Sequence, residues 1–242
     1  MKKSVITAGL VCASVLWAGG DIEEPSGVPE SMTGETAAAF SGYNADLKFG
    51  TLGVGVDVAR AINDRFALRL NVNGLRYSRQ ETIDDVDYDG TISLLTVGGL
   101  VDYHPFTNAF RISAGAYYNG NKFSGTATPS ATQTLNIGNN TYTGAEIGRL
   151  DAQVDFNKFA PYLGIGWGSD ARQEGWGFSF DLGVMYQGSP QVDATAAINA
   201  SLPAAVKQAI LDDIEVEKQN IQDDVKNYKW YPVIMIGVNY TF

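Results

Sequence analysis

The chain has 242 residues, 45% of them hydrophobic and 27 of them glycine, and no apolar run reaches the ~20 residues a spanning helix needs, which excludes a helical membrane protein. A formal net charge of −10 supplies no basic footprint for nucleic acid. One cysteine and one histidine leave little for a disulfide or a transition-metal site.

Lys2 and Lys3 precede an apolar run over residues 5–17 and then Ala18, Gly19 and Gly20, the order of a secretory leader cleaved after Gly20. Cys12 lies inside that leader, so the mature chain of about 222 residues is expected to be free of thiols. Residues 21–40 are rich in Pro, Glu, Ser, Gly and Ala without periodicity and read as a flexible periplasmic lead-in. Residues 41–242 then show a period of two, the signature of strands with one oily face.

Eight alternating segments follow. The first, residues 42–50, puts Tyr43, Ala45, Leu47 and Phe49 on one face, and a tight turn at Thr51 and Leu52 leads into residues 53–62 with Val54, Val56 and Val58 outward. After a turn at Asn63, the third segment runs from Phe66 to about Tyr88, and Asp89-Gly90 is a strong hairpin signal before the fourth, residues 91–104. The fifth covers Phe110 to about Ser124. A Thr/Ser/Asn-rich stretch over residues 125–148 has strand-like pieces at 134–136 and 141–143 around Gly138 and Asn139, read as extending the hairpin of the fifth and sixth segments beyond the membrane. The sixth runs from about Leu150 to Trp167, and the seventh, residues 176–187, sets Trp176, Phe178, Phe180, Leu182, Val184 and Tyr186 against a polar and glycine phase. Residues 202–226 form a helix, within a loop insertion of about 199–227, with Val206, Ile210, Ile214, Ile221 and Val225 near one face and Ser201 as its cap. The eighth strand ends the chain, with Trp230, Pro232, Ile234, Ile236, Val238, Tyr240 and Phe242 on one phase; Tyr240 and Phe242 on an aromatic last strand match an outer-membrane assembly signal.

An even number of such strands, each of the ~9–11 residues needed to cross, reads as an all-β fold: an eight-stranded antiparallel transmembrane β-barrel with one extracellular loop helix. Closure satisfies every backbone group in lipid. The termini and the short turns at Asn63, Pro105 and Ser169 are then periplasmic, and the longer connections face outward.

Three blocks carry a family resemblance: Phe159-Ala160-Pro161-Tyr162-Leu163-Gly164-Ile165-Gly166-Trp167, Trp176-Gly177-Phe178-Ser179-Phe180-Asp181-Leu182-Gly183, and Gln187-Gly188-Ser189-Pro190-Gln191-Val192. With the charged helix before Tyr231-Pro232-Val233, they resemble small bacterial outer-membrane barrels of the CarO type, linked to ornithine uptake and carbapenem susceptibility. The resemblance implies the fold, the Gram-negative outer membrane and a porin-like role, and brings no catalytic motif with it.

Inward positions include Asp46, Lys48, Asp57, Arg69, Asn71, Asn73, Arg111, Tyr117, Tyr162 and Asp181. An eight-stranded interior is just wide enough for side chains to fill it. Two readings stand. Asp46, Lys48, Asp57, Arg69, Arg111 and Asp181 form a paired, packed lumen network; or glycines at 53, 55, 164, 166 and 183 leave a narrow path for small cationic amino-acid-like solutes.

Asp85, Asp87, Asp89 and Gly90 match the start of a calcium loop, but its twelfth position is Thr96 where a bidentate Glu belongs. Calcium is one reading and a solvated acidic hairpin tip is the other; no other cofactor is expected. The helix reads either as a lid over the barrel rim or as a surface for a protein partner, made acidic by Asp212, Asp213, Glu215, Glu217, Asp223 and Asp224. His104, the single histidine, falls at a periplasmic turn, the wrong end for the rim chemistry of barrel enzymes, so no enzyme is expected. The function expected is a narrow channel or, alternatively, a closed barrel presenting loops for adhesion, assembly or envelope integrity. Its partners would be outer-membrane lipid and lipopolysaccharide, and the barrel-assembly machinery through the last strand.

Overall fold

The computed structural model describes residues 42–242 apart from 84, 107 and 169–173. The leader expected over residues 1–20, the lead-in over 21–40 and the turn at Ser169 lie outside the described residues.

Eight strands close a ring. In chain order they are β1 (Tyr43–Gly50), β2 (Gly53–Ala61), β3 (Phe66–Ile83), β4 (Val86–Tyr103), β5 (Phe110–Asn119), β10 (Phe159–Trp167), β11 (Gly175–Tyr186) and β13 (Trp230–Thr241), each antiparallel to the next. The ring shuts where β1 pairs with β13, from Asn44 opposite Thr241 to Gly50 opposite Met235, and the Phe242 N–H donates to the Tyr43 carbonyl at 2.9 Å. Exposure alternates strictly along β1, β2 and β10, because each pleat sends one side chain into the lumen and the next outward.

The outward phase is Leu, Ile, Val and aromatic. Aromatic pairs sit at both ends of the wall. Trp167 stacks on Phe110 and Trp176 on Tyr240 at the end of the short turns, and Tyr186 stacks on Trp230 at the other. Phe110 and Tyr118 lie eight residues apart on β5, which after strand tilt makes an apolar band of roughly 20–25 Å. Among the described residues no helix is long and apolar enough to cross a membrane; the wall itself does so.

Above the band, the wall continues on one side only. β3 and β4 stay paired to their tip and are joined by β6 (Lys122–Pro129), β9 (Ile147–Asp155) and β12 (Gln191–Ile198), giving an upright plate in the order β3-β4-β6-β9-β12. The fifth and sixth expected segments are thus each interrupted, at Gly120–Asn121 and Phe156–Lys158. The cause of the first interruption is local: the Asn121 side chain replaces a ladder carbonyl, accepting from the Leu95 N–H at 3.0 Å. The β3–β4 tip also differs from expectation. Asp89 and Gly90 lie inside β4, opposite Gln80 and Arg79, and the chain reverses between Ile83 and Val86, with Asp85 at φ 60°. Asp tolerates that left-handed conformation, and the longer cross-strand ladder outweighs the turn preference of Asp-Gly.

A helix, α1 (Ala204–Val225), and a two-stranded hairpin, β7 (Thr134–Ile137) with β8 (Asn140–Thr143), pack on one face of the plate. Ile210 and Ile214 enter a core with Val86, Leu135, Ile137, Tyr142, Ile147 and Leu150, while Ile221 joins Ala152, Val154, Phe156 and Val192. The helix therefore covers the plate and not the barrel rim. Pro203 occupies the cap position without a side-chain hydrogen bond, so Ser201 is not the cap; its N–H is taken by Asn199 Oδ1 at 2.9 Å.

Candidate functional site

The lumen is occupied by a single charged network. Lys48, from β1, sends Nζ to Asp57 Oδ2 at 2.6 Å, Asp181 Oδ2 at 2.6 Å and Asp46 Oδ2 at 3.2 Å. Arg69, from β3, reaches Asp102 through Nε and Nη2 at 2.9 Å each, Asp57 at 3.0 Å and Asp181 at 3.3 Å. Arg111, from β5, donates to Asp181 Oδ1 at 2.6 Å and to the Gly168 carbonyl. Ser113 donates to Asp102, Ser179 to Asp46 and Asn71 to Asp57. Burying charge at this density is tolerable only when each group has a partner, and here every carboxylate has at least one cation and one further donor.

The six charges expected in the lumen all come together. Asp102 is a seventh, which the sequence pattern does not single out. It shares the inward phase of β4 with Thr96 and Leu100, but that strand is apolar on both faces, so its phase was poorly marked.

A second layer lies above the charges, toward the plate. Leu52, Leu100, Tyr117, Tyr162, Met185, Val233 and Met235 pack together, with Tyr117 and Tyr162 edge to face at 5.4 Å. Leu52 comes from the two-residue turn between β1 and β2 and is 1% exposed. The turn folds inward because Thr51 pairs with β13: its N–H donates to the Ile234 carbonyl at 2.9 Å and its hydroxyl accepts from the Ile234 N–H at 3.0 Å.

The inward glycines do not leave space. A Cβ on Gly166 would lie 2.6 Å from Asp181 Oδ1, one on Gly183 would lie 2.5 Å from the Tyr162 hydroxyl, and one on Gly55 would strike Asn73. Each is small so that a neighbouring polar side chain can cross the lumen in front of it, which corrects the reading that these glycines leave empty space.

The remaining expected residues lie elsewhere. Asp85 is at the hairpin tip, Asp87 accepts from Thr82 at 2.6 Å, and Asp89 accepts from Gln80 at 3.1 Å. They are strung along a strand, and among the described residues no group of three His, Cys, Asp or Glu side chains is placed to hold a metal ion. Tyr240 stacks on Trp176 at 5.1 Å and on Phe242 at 5.0 Å, outside the wall at the end of the short turns. His104 is buried at that same end, its Nδ1 2.9 Å from the Asn108 carbonyl.

Asp213 and Glu217, two of the acids that the sequence reads as making the helix surface acidic, are buried against the β7–β8 hairpin. Asp213 accepts from the Asn139 N–H, from Asn140 Nδ2 at 2.7 Å and from the Tyr142 hydroxyl; Glu217 accepts from the Gly138 N–H at 3.2 Å. Burial works against the Asp213 charge, but these hydrogen bonds outweigh it and hold its pKa below the ordinary aspartate value. Burial and the same carboxylate push the Tyr142 hydroxyl up to about 12. For Glu217 burial wins over its hydrogen bonds, and its pKa is raised.

No protein-family model and no curated protein matches this sequence. Among solved structures, CarO2 from Acinetobacter baumannii aligns over 83% of this chain and 98% of its own, with a TM-score of 0.53 at 23% identity. The fold is that of the CarO outer-membrane barrels. CarO from the same organism aligns over 82% of this chain and 97% of its own at a TM-score of 0.49 and 24% identity. A major outer membrane protein from Thermus thermophilus aligns over 83% and 98% at 0.40 and 13%.

Proposed function

We propose that this protein is a closed outer-membrane barrel whose working surface is the plate. Its termini and short turns would face the periplasm and its plate the exterior. One observation carries the reading: the side chains of Asp46, Lys48, Asp57, Arg69, Asp102, Arg111 and Asp181 are 0–4% exposed, so the charges that would line a pore are closed to solvent. One reading of the sequence left a narrow path past the lumen glycines. The geometry argues otherwise, because Asp181 is held by three cations and Asp57 by two.

Passage of small cationic solutes draws no comparable support, since a solute would have to displace both the charged layer and the Leu52 layer above it. We also assign Tyr240 and Phe242, on the exposed side of the closing strand, to recognition by the assembly machinery, and the outward aliphatic band to lipid contact, with lipopolysaccharide around the base of the plate.

Single-channel recording of the refolded protein in planar bilayers tests the reading. The native protein is expected to be silent, and Arg111→Ala silent too, because Lys48 and Arg69 still hold Asp181. Steady conductance in the native protein would overturn it.

A further inference from the structure

Among the described residues the plate ends at two edges, β12 and β3, and they are treated differently. At the β12 edge, side chains occupy the outward backbone groups: Gln222 of α1 accepts from the Val192 N–H at 3.0 Å and donates to the Pro190 carbonyl at 2.7 Å, and Asp193 accepts from the Ala194 N–H at 3.0 Å. A register shift at Ala197–Ile198 disrupts the rest of the strand. These are the usual devices against edge-to-edge association.

The β3 edge is different. β2 leaves β3 at Gly74, and among the described residues no strand pairs with Leu75–Ile83 on that side. The direction of its backbone groups follows from the base of the strand. The Phe66 carbonyl accepts from Ile62, on the β2 side, and the Arg65 carbonyl from His104, on the β4 side, both at 2.8 Å. The β3–β4 register runs unshifted to Ile83, so residues alternate throughout, and Arg76, Ser78, Gln80 and Thr82 turn their N–H and C=O to the open edge.

The edge sequence is complementary to itself. Antiparallel pairing about Gln80 sets Gln80 opposite Gln80, Ser78 opposite Thr82, Arg79 opposite Glu81 and Tyr77 opposite Ile83. Amide meets amide, hydroxyl meets hydroxyl, cation meets anion and apolar meets apolar. Tyr77 and Ile83 are 46% and 43% exposed, and Arg79 at present pairs with Glu81 of its own strand. Moving the centre to Arg79 or Glu81 would set like charges opposite one another, which disfavours those registers.

We propose that the β3 edge pairs with the same edge of a second copy, in register about Gln80. This rests on reading the plate as the exposed, working end of a closed barrel, and it names the partner. The two-fold axis of an antiparallel strand pair is perpendicular to the sheet. The plate continues the barrel wall, so that axis is also perpendicular to the barrel axis, and the two barrels must point in opposite directions. Two copies in one membrane cannot pair in this way; two copies in facing membranes can. Gln80 lies six residues beyond Gly74, roughly 20 Å along the strand, which leaves room between the two rims. The contact is a homophilic bridge between apposed surfaces.

The test uses the full chain with Cys12→Ser, so that an introduced cysteine is the sole thiol. Gln80→Cys should form a disulfide-linked dimer in detergent under mild oxidation, since facing hydrogen-bonded residues lie at a bridgeable ~5.5 Å, whereas Thr195→Cys on the protected edge should not. Proteoliposomes of the native protein should aggregate. Arg79→Glu or Glu81→Arg alone should weaken self-association by about tenfold, and the two together should restore it, because the pair is then only exchanged. Gln80→Pro should abolish pairing without unfolding the hairpin, as its N–H faces the open edge. A monomer in detergent without the Gln80→Cys crosslink, or an unrescued double exchange, overturns the proposal. A conducting barrel that still crosslinks would sink only the closed-barrel reading. A crosslink without vesicle aggregation would overturn the bridging geometry.

Discussion

Asp181 is the residue on which the lumen network converges, because among the described residues it alone contacts Lys48, Arg69 and Arg111. Removing one member of a buried ionic network leaves the others desolvated and underpaired, which typically costs about 3–5 kcal/mol, whereas exchanging a whole pair for apolar groups need not. Asp181→Ala should therefore lower barrel stability by about that amount, with Asp181→Asn milder because it keeps an acceptor. Urea unfolding of the protein in vesicles, followed by tryptophan fluorescence, measures this directly. Trp167, Trp176 and Trp230 all lie on the outer barrel wall and report on the ring. An unchanged midpoint for Asp181→Ala would mean that the lumen network is incidental to barrel stability.

At the scale of elements, α1 is fixed to the β7–β8 hairpin by two buried carboxylates of opposite pH sense. The folded pKa of Asp213 is depressed, so its contribution is complete above the ordinary aspartate value and is lost as pH falls through the lower folded value. Glu217 is raised, so its contribution is complete below the ordinary glutamate value and fades as pH climbs through the raised one. Hydrogen exchange at the Gly138 and Asn139 amides, corrected for intrinsic rates, should show protection greatest in mild acid and falling on either side. Asp213→Ala should remove the acid limb and cost about 1–3 kcal/mol at neutral pH by stranding buried donors, and Glu217→Gln should flatten the other limb. Protection that does not change with pH would refute the assignment. The helix itself, its apolar stripe and the strand pieces beside Gly138 were legible in the sequence, because 3.6-residue and two-residue periods are local signals; that those pieces form a sheet of their own, and do not lengthen the hairpin of the fifth and sixth segments, was not. That Asp213 and Glu217 fall on the buried face was not legible, since a carboxylate three or four residues from a buried Ile reads as solvated until the hairpin that satisfies it is in place. The same limit explains the misplaced β3–β4 tip. Asp-Gly is a strong local turn signal, but the ladder between Ile83 and Val86 is a tertiary outcome.

The whole molecule has two interiors with different chemistry. The barrel is filled by charges and a layer around Leu52, and the plate by Ile210, Ile214, Leu135, Ile137 and their neighbours. They are joined by strands that run from one into the other, with no shared core, so the ring closes without help from the helix and the plate depends on it. Ile210 is fully buried, and truncating such a side chain costs about 2–5 kcal/mol, confined to the plate core that loses it. Ile210→Ala should therefore split unfolding into two transitions. Loss of the helical signal in circular dichroism, together with protease cleavage within α1, should move to lower urea, while tryptophan fluorescence and the heat-modifiable gel mobility of the ring stay where they are. A single transition that shifts as a unit would mean that the plate and ring are one cooperative structure, and that changes at the free β3 edge would be felt in the lumen.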